Sequence, residues 1–365
     1  MSTGDSKDRV GRKRLLKNPL WEIRNARPAF EAIRKESNKI RERPEVIGIG
    51  FGPKRGVDEG LAVPTVHVFV KWMSMKDAAK LKLPSKIAGY EVEVIPMRVS
   101  GAGCNGMDNT WYGWLKPGRN IGPTTGCGTL GMKVYNRYWV GNTNLPLSSQ
   151  PTYILTAYHV CPWVTSEIYQ PGAPTAAQVG DPNNIIGKVV KTIGWADPRS
   201  SGLFEVSLIK LETDRNLNNW DENDRPIFDS YPTGEPAFFE RLDWESASRM
   251  NIGGMETYHG YGYAVDIVDV TINFPPEVDM KYQLLVAAER TDDILSHRGA
   301  SGSVLYNANG TPVAIAAGSG QWNVGGDVYD IVLASFLKSA IGPDVLEELN
   351  VSNIPPSPGE IPPNW

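Results

Sequence analysis

The sequence predicts a mainly β protein, and three observations lead to that prediction. Glycine and proline are plentiful, with 37 and 28 copies among 365 residues, which favours many short strands joined by turns. Residues 123–340 contain strand-like runs separated by turn residues, without strong helical periodicity. A chain of this length exceeds one ordinary core, so we expect two or three domains. Over 123–340 the pattern predicts either two β-barrels or a pair of sandwiches.

The composition argues against several classes of protein. The formal net charge of −4 favours neither nucleic acid nor a membrane surface as a partner. No apolar run approaches the 18 residues of a transmembrane helix. The first 21 residues are basic but lack the apolar core of a signal peptide, which predicts a cytoplasmic protein. Cys104, Cys127 and Cys161 are few and odd in number and form no CxxC pair, so neither a disulfide framework nor a zinc site is expected. No motif indicates another metal or an organic cofactor.

Residues 1–43 form a basic N-terminal segment, with 13 Lys and Arg against 6 Asp and Glu. From Pro19 onward the pattern predicts helix, and Pro28 is expected to break or start a helix there. One interpretation is a solvated helix that packs Ile33 and Ile40 on the next domain. The other is a docking segment for an acidic regulatory partner.

Residues 44–99 predict a small α+β domain. The runs EVIGIGFG, VPTVHVFVKWM and IAGYEVEVIPMRV are strand-like. Between the last two, SMKDAAKLKLP predicts a short helix with Ser74 as its N-cap and Pro84 after its end. The stretch GIGFGPKRG has the glycines of a dinucleotide-binding loop, but Pro53 stands where a helix would begin and the next strand follows without one. The glycines therefore predict a bulged strand end.

One histidine, one acid and one serine form a candidate catalytic group. His159 closes the apolar run YILTAYHV, and a histidine at a strand end beside a turn suits general base catalysis. In HRGASGSVLY, small residues around Ser301 allow a sharp turn that points the N–H groups of Gly299 and Ser301 to one side, as an oxyanion hole needs. Glu205 begins the apolar strand FEVSLIKL, where a buried carboxylate needs a partner such as a histidine N–H. Each motif alone also fits an ordinary structural role.

The order of these residues makes the group more specific than its parts. Glu205 follows His159 by 46 residues, and Ser301 follows Glu205 by 96. These separations are close to those of the Ser-His-Asp template. No histidine follows Ser301, which excludes the order found in α/β-hydrolases. A papain-like pairing of His259 with a cysteine lacks the local signature.

The quoted motifs resemble those of chymotrypsin-fold, trypsin-like (S1-type) serine peptidases. TAYHVC is similar to their histidine motif, FEVSLIKL to their acid strand, GASGSVLYNANGTPVAIAAGSG to their nucleophile motif and HGYGYA to a strand of their second barrel. The resemblance covers about residues 120–340, and the N-terminal unit resembles a small domain that precedes cytoplasmic members from bacteria. It implies two six-stranded antiparallel β-barrels, preceded by a helical segment and a small α+β domain. The implied divisions are 1–43 (helical segment), 44–99 (α+β domain), 100–235 (linker and first barrel), 236–350 (second barrel) and 351–365 (Pro-rich tail).

The function implied by this resemblance is a serine endopeptidase acting on polypeptide substrates. Ser301 would be the nucleophile, His159 the general base, and the N–H groups of Gly299 and Ser301 the oxyanion hole. Glu205 stands where the family normally has Asp, so backbone placement or a different rotamer must absorb one extra methylene; Asp197 is a weaker substitute. The alternative is a catalytically latent or inactive peptidase-fold protein that serves as a binding module or scaffold.

The resemblance also implies a substrate pocket, lined by Leu295, His297, Arg298, Ala316, Ala317 and Gly318. Its small apolar walls favour a bulky or apolar substrate side chain. Two basic residues at its mouth would instead favour an acidic side chain, and Asp292 and Asp293 a basic one.

Activation and redox state are expected to differ from those of secreted family members. Ala300 replaces the acid that pairs there with a freshly cleaved N-terminus, so control is expected from residues 1–100 or a partner bound to them. Cys127 and Cys161 resemble the family's disulfide pair in position. In a reducing compartment we expect two buried thiols instead.

Overall fold

The computed structural model describes a mainly β chain, which confirms the predicted class. The described residues are 22–54, 63–100, 112–136, 152–195, 202–217, 219, 230, 232, 234–246, 258–272, 277–289, 300–339 and 344–353. No helix among them is long and apolar enough to cross a membrane.

The N-terminal part begins with two helices and continues into a sheet. Its elements are α1 (Ile23–Glu36), α2 (Asn38–Arg41), β1 (Val46–Pro53), β2 (Pro64–Lys71), α3 (Met75–Ala78), β3 (Lys86–Ile87) and β4 (Tyr90–Ser100). Helix α1 runs through Pro28, so the prediction that this proline breaks or starts a helix is wrong. Proline removes one backbone hydrogen bond, but Ile23, Phe30 and Ile33 bury one face of α1 and stabilise it on both sides of Pro28. The predicted N-cap of α3, Ser74, is confirmed.

The central part consists of short strands. They are β5 (Trp114–Leu115), β6 (Asn120–Ile121), β7 (Gly128–Thr129), β8 (Lys133–Asn136), β9 (Thr152–Thr156), β10 (Glu167–Tyr169), β11 (Ile185–Ile193), β12 (Val206–Leu211) and β13 (Asn216–Leu217). Helix α4 (Ala176–Val179) and two 3-10 helices, Tyr158–Val160 and Pro182–Asn184, interrupt them.

The C-terminal part contains the longest strands. Its elements are β14 (Arg241–Ser246), β15 (Tyr258–Ile272), β16 (Val278–Ala287), β17 (Val304–Tyr306), β18 (Pro312–Val324), β19 (Asp327–Phe336), α5 (Val345–Glu348) and β20 (Val351–Ser352). The predicted tail, 351–365, is described only to Asn353, and its first two residues form β20.

Two strand arrangements carry the fold. One sheet has the order β10-β11-β12-β9-β8-β20, with side chains such as Ile154, Ile186 and Ile209 in its core. In the other, β14, β15, β16, β19, β18 and β17 pair in that order and β17 pairs again with β14, so the pairings form a ring. The number of closed barrels stays a prediction.

The N-terminal strands share a sheet with the C-terminal ring. Strand β1 pairs with the second half of β15, where Phe51 lies opposite Ile267, and β4 pairs with the second half of β18, where Met97 lies opposite Trp322. Side chains of β2, β4, β15 and β18 fill one apolar core. Backbone pairing therefore crosses the predicted boundary between 44–99 and 236–350, and the division into domains stays a prediction.

Candidate active site

His159 lies in the 3-10 helix that follows β9. The sequence places His159 at the end of a strand, but β9 ends three residues earlier, at Thr156. The backbone turns there because Val160 N donates to Ala157 O at 3.2 Å, and Val160 is buried. The turn presents the His159 side chain beyond the end of the sheet.

Glu205 is wholly buried directly before β12 and contacts His159. Its Oε1 atom accepts a hydrogen bond from His159 N at 3.1 Å and pairs with His159 Nδ1. Burial raises the pKa of the Glu205 carboxyl group, while the charge and hydrogen bonds of His159 oppose that rise. A carboxylate at Nδ1 favours the tautomer that carries its proton there, which leaves Nε2 unprotonated and able to accept a proton.

Ser301 occupies a tight turn that precedes β17. Ser303 N donates to Ala300 O at 2.9 Å, and Gly302 has a φ of +97°, which favours glycine. The Ser301 side chain is buried, and its Oγ atom makes no hydrogen bond with any described residue. The predicted tight turn is therefore present, and in this conformation the hydroxyl donates no hydrogen bond to His159.

This turn packs against the end of β9. Thr129 N donates to Ser301 O at 2.8 Å, and Thr156 Oγ1 donates to Thr129 O at 2.8 Å. A Cβ atom on Gly302 would lie 2.3 Å from Thr156 Oγ1, so only glycine fits there. Thr156 lies three residues before His159, and these contacts hold the serine turn beside the histidine turn.

The predicted oxyanion hole is described in part. No described residue accepts a hydrogen bond from the Ser301 N–H, which leaves that donor available. Gly299, the other predicted donor, lies outside the described residues, as does Asp197, the substitute acid.

The predicted substrate-pocket residues are also described only in part. Leu295, His297 and Arg298 lie outside the described residues. Ala316 borders the serine turn, because Gly302 N donates to Ala316 O at 2.9 Å and Ala316 N donates to Ser303 O at 2.8 Å.

The other two pocket residues follow Ala316 on β18. Ala317 is buried in the core that β2 and β4 share with β15 and β18. Gly318 lies near Val99 and Ser100, at the end of β4.

The prediction of two buried thiols is wrong for one cysteine. Cys127 forms a disulfide, whereas Cys161 is a free, buried thiol, so the two do not pair with each other. Burial raises the pKa of Cys161, which makes it a poor nucleophile.

Two other histidines bind carboxylates away from this site. His259 contacts Glu245 at 2.7 Å through Nδ1 and Asp243 at 3.0 Å through Nε2, which is not the papain-like arrangement weighed from the sequence. His67 is buried and contacts Asp266 at 2.9 Å. Within the described residues, no group of three or more His, Cys, Asp and Glu side chains is arranged to hold a metal ion.

Sequence reasoning missed Trp195. Its indole stacks beside His159, with ring centroids 6.2 Å apart and an interplanar angle of 21°, and Tyr158 meets it edge-on at 4.8 Å. A Cβ atom on Gly194 would lie 2.2 Å from the Tyr158 ring. The available signal was the Gly-Trp pair that shortly precedes the acid strand.

No protein-family model matches the chain, and no curated protein matches it. Among solved structures it is similar to protease A of Thermobifida fusca, at 10% identity and a TM-score of 0.40 over 66% of this chain and 100% of that one. It is similar to a glutamic acid-specific serine protease that uses a histidine triad in substrate binding. The identity is 13% and the TM-score 0.40, over 65% of this chain and 99% of that one. It is also similar to Cellulomonas bogoriensis chymotrypsin, at 11% identity and a TM-score of 0.40 over 66% of this chain and 100% of that one. These identities and TM-scores are low.

Proposed function

We propose that the chain is a serine peptidase that hydrolyses peptide bonds in polypeptides. The observation that carries this proposal is the buried Glu205 carboxylate, which contacts both the backbone N and the Nδ1 atom of His159. Burying a carboxylate is costly unless it is paired, so this pair fixes one orientation of the imidazole. The serine turn is linked through Thr129 to Thr156, three residues before His159, and this supports Ser301 as the nucleophile.

In the proposed reaction, His159 Nε2 takes the proton of Ser301 Oγ as Oγ attacks the substrate carbonyl carbon. Glu205 stabilises the imidazolium ion, and the N–H groups of Ser301 and Gly299 stabilise the oxyanion. His159 then gives the proton to the leaving amine, and water hydrolyses the acyl-enzyme in a second, equivalent step. The chemistry of these four residues is complete without a cofactor.

A second candidate function is a latent or inactive peptidase-fold binding protein. The observation that favours it is the Ser301 hydroxyl, which has no hydrogen-bond partner in the described structure. The peptidase proposal requires that this hydroxyl rotate towards His159, and catalytic hydrogen bonds often form only when substrate binds.

Labelling with a fluorophosphonate probe tests the proposal directly. The probe should label Ser301 of the full chain, and Ser301→Ala should abolish labelling and lower kcat by about 10⁴- to 10⁶-fold. Ser303→Ala is the matched control, because Ser303 is equally buried two residues away, and it should keep the label. Absence of labelling between about pH 6 and 9 would contradict the peptidase and favour the latent protein.

The substrate, control and location belong to the same proposal. The small side chain of Ala316, which borders the serine turn, suits a bulky or apolar substrate side chain. Control comes from residues 1–100, directly or through a protein partner. A cytoplasmic location remains our proposal, although a disulfide at Cys127 is more typical of oxidising compartments.

A further inference from the structure

A cavity of about 570 Å³ lies outside the candidate active site, between the N-terminal elements and the β15–β16 hairpin. Residues 41–44, Val46 and Ile47, the ends of β2 and β4, and Thr271 and Glu277 surround it. We call it the seam pocket. Its volume falls within the range of about 300–1,000 Å³ that is usual for small-molecule sites.

Cationic side chains line the seam pocket. They are Arg41, Arg43, Lys71 and Arg98, and the carboxylates of Glu42 and Glu277 also line it. Two of these cations are already paired, since Arg41 lies 3.3 Å from the buried Asp269 carboxylate and Arg43 lies 3.9 Å from that of Glu45. Lys71 is exposed and forms no ion pair with any described residue. Lys71 and Arg98 are therefore the cations that can attract an anion into this pocket.

An aromatic ring lies next to these charges. Trp72 is 40% exposed, which is unusual for so large an apolar side chain. The Arg98 guanidinium group stacks on its ring at 4.7 Å from the centroid and donates a hydrogen bond to Gln321 on β18. Arg98 is therefore held in place before any ligand arrives, which lowers the entropy cost of binding.

Apolar side chains complete the pocket. Val46 and Met97 are buried, and Ile47 and Val99 are partly exposed towards the cavity that they line. An inorganic anion alone leaves this apolar surface in water, and an uncharged apolar molecule leaves Lys71 and Arg98 without an anionic partner. The two kinds of wall together fit a molecule that has an anionic group and a flat apolar body.

We propose that the seam pocket binds a small aromatic anion, with its phosphate or carboxylate at Lys71 and Arg98 and its ring against Trp72 and the apolar wall. A bound ligand contacts β2 and β4 on one side and the β15–β16 hairpin on the other. It therefore joins segments that are about 200 residues apart in sequence. Ligand that binds only the folded chain raises its Tm.

The test uses 1-naphthyl phosphate as the probe on the full chain, by calorimetry and by thermal denaturation. We expect a Kd below about 1 mM and a higher Tm, with 1-naphthol and inorganic phosphate each at least about tenfold weaker. Lys71→Ala and Arg98→Gln should each weaken binding about tenfold. Lys210→Ala, an exposed lysine on β12, is the control and should leave binding unchanged.

Two results would overturn the proposal: no binding of 1-naphthyl phosphate at about 1 mM, or equal binding by the wild-type, Lys71→Ala and Arg98→Gln proteins. Equal binding of 1-naphthol would overturn the anionic part. If Arg98→Gln lowers the Tm of the ligand-free protein, its weaker binding could reflect a folding defect. The Lys71→Ala result then decides whether the proposal holds, because the Lys71 side chain is exposed and its loss should not affect folding. None of these measurements depends on peptidase activity, so the two proposals can fail separately.

Discussion

At the scale of single residues, the length of the Glu205 side chain determines how the acid meets His159. One oxygen, Oε1, serves both the backbone N and Nδ1 of His159, while Oε2 is buried without a hydrogen-bond partner. A shorter side chain from the same backbone position would withdraw Oε1 from both donors. The extra methylene relative to aspartate is therefore part of the geometry.

Substitution of Glu205 tests this geometry. Glu205→Gln keeps the shape but loses the charge that favours the reactive tautomer, so kcat should fall by about 10⁴-fold. The kcat of Glu205→Asp should lie between those of Glu205→Gln and wild type, because the shorter side chain draws the carboxylate away from His159. Glu212→Gln, an exposed acid just after β12, is the control. Wild-type kcat/KM in Glu205→Asp on a peptide ester would show that the methylene does not matter.

His259 makes stability depend on pH. Hydrogen bonds to Asp243 and Glu245 raise the pKa of His259 to about 10, although burial opposes the rise. The folded chain thus binds this proton more tightly than the unfolded chain, whose histidine pKa is about 6.5. This contribution to stability is complete below about pH 6.5 and is lost as the pH rises towards 10.

The comparison of wild type with His259→Gln isolates that effect. The Tm of wild type should fall more than that of His259→Gln between about pH 6.5 and 9.5. Groups that titrate in both proteins cancel in the difference. If the Tm of the two proteins changed in parallel with pH, His259 would not be the source of the pH dependence of stability.

At the scale of elements, ion pairs anchor α1 to strands β15 and β16 of the sheet that also contains β1, β2 and β4. Arg34 donates to Asp269 at 2.6 Å and to the Tyr282 hydroxyl at 2.6 Å, and Tyr282 N donates to Asp269 at 3.0 Å. Asp269 is wholly buried, and burial raises its pKa against the influence of Arg34 and Arg41. The basic character of residues 1–43 thus serves, in part, an internal contact.

Removing Arg34 leaves a buried carboxylate with a weaker partner. Arg34→Met should lower the free energy of unfolding by about 2–4 kcal/mol, measured by urea denaturation. Arg24→Met, at a side chain that is 65% exposed on the same helix, should change it by less than about 0.5 kcal/mol. Similar effects of the two substitutions would show that the buried pair does not anchor α1.

The sequence predicts elements better than it predicts their partners. Apolar and β-branched runs identify β1, β2 and β4, and the Ser74 cap identifies α3. Pro28 misleads because the packing of α1, which stabilises the helix on both sides, is not visible in local sequence. Nothing near Phe51 indicates that it lies opposite Ile267, since both faces of β1 are buried and its alternation is lost.

The candidate site shows the same limit. Chain order and spacing bring His159, Glu205 and Ser301 forward as candidates, and the structure places Glu205 in contact with His159. Trp195 escapes notice because its stacking depends on how a loop returns to the histidine turn. The disulfide at Cys127 also escapes, since pairing depends on distance in space.

At the scale of the whole molecule, the shared sheet makes the N-terminal part structural. Deleting residues 1–100 would remove Phe69, Ile95 and Met97 from a common core and uncover the edges of β15 and β18. We expect this truncated protein to aggregate or to lose its cooperative melt, measured by size-exclusion chromatography and circular dichroism.

Deletion of residues 1–21 alone is the matched control, because it leaves α1 and every described strand in place. A monomeric 101–365 fragment with the wild-type Tm would contradict the expectation. Loss of activity in an aggregated fragment would not demonstrate regulation, so tests of regulation need point substitutions in the intact chain.

The pairing of β1 with β15 also has a consequence for biosynthesis. Ile267 is translated about 216 residues after Phe51, and Trp322 about 225 residues after Met97. At about 5–20 residues per second, β1 and β4 leave the ribosome about 10–45 s before their partners β15 and β18 exist. During that interval their apolar faces and strand edges are open to other nascent chains, so these strands are where a chaperone has most to protect.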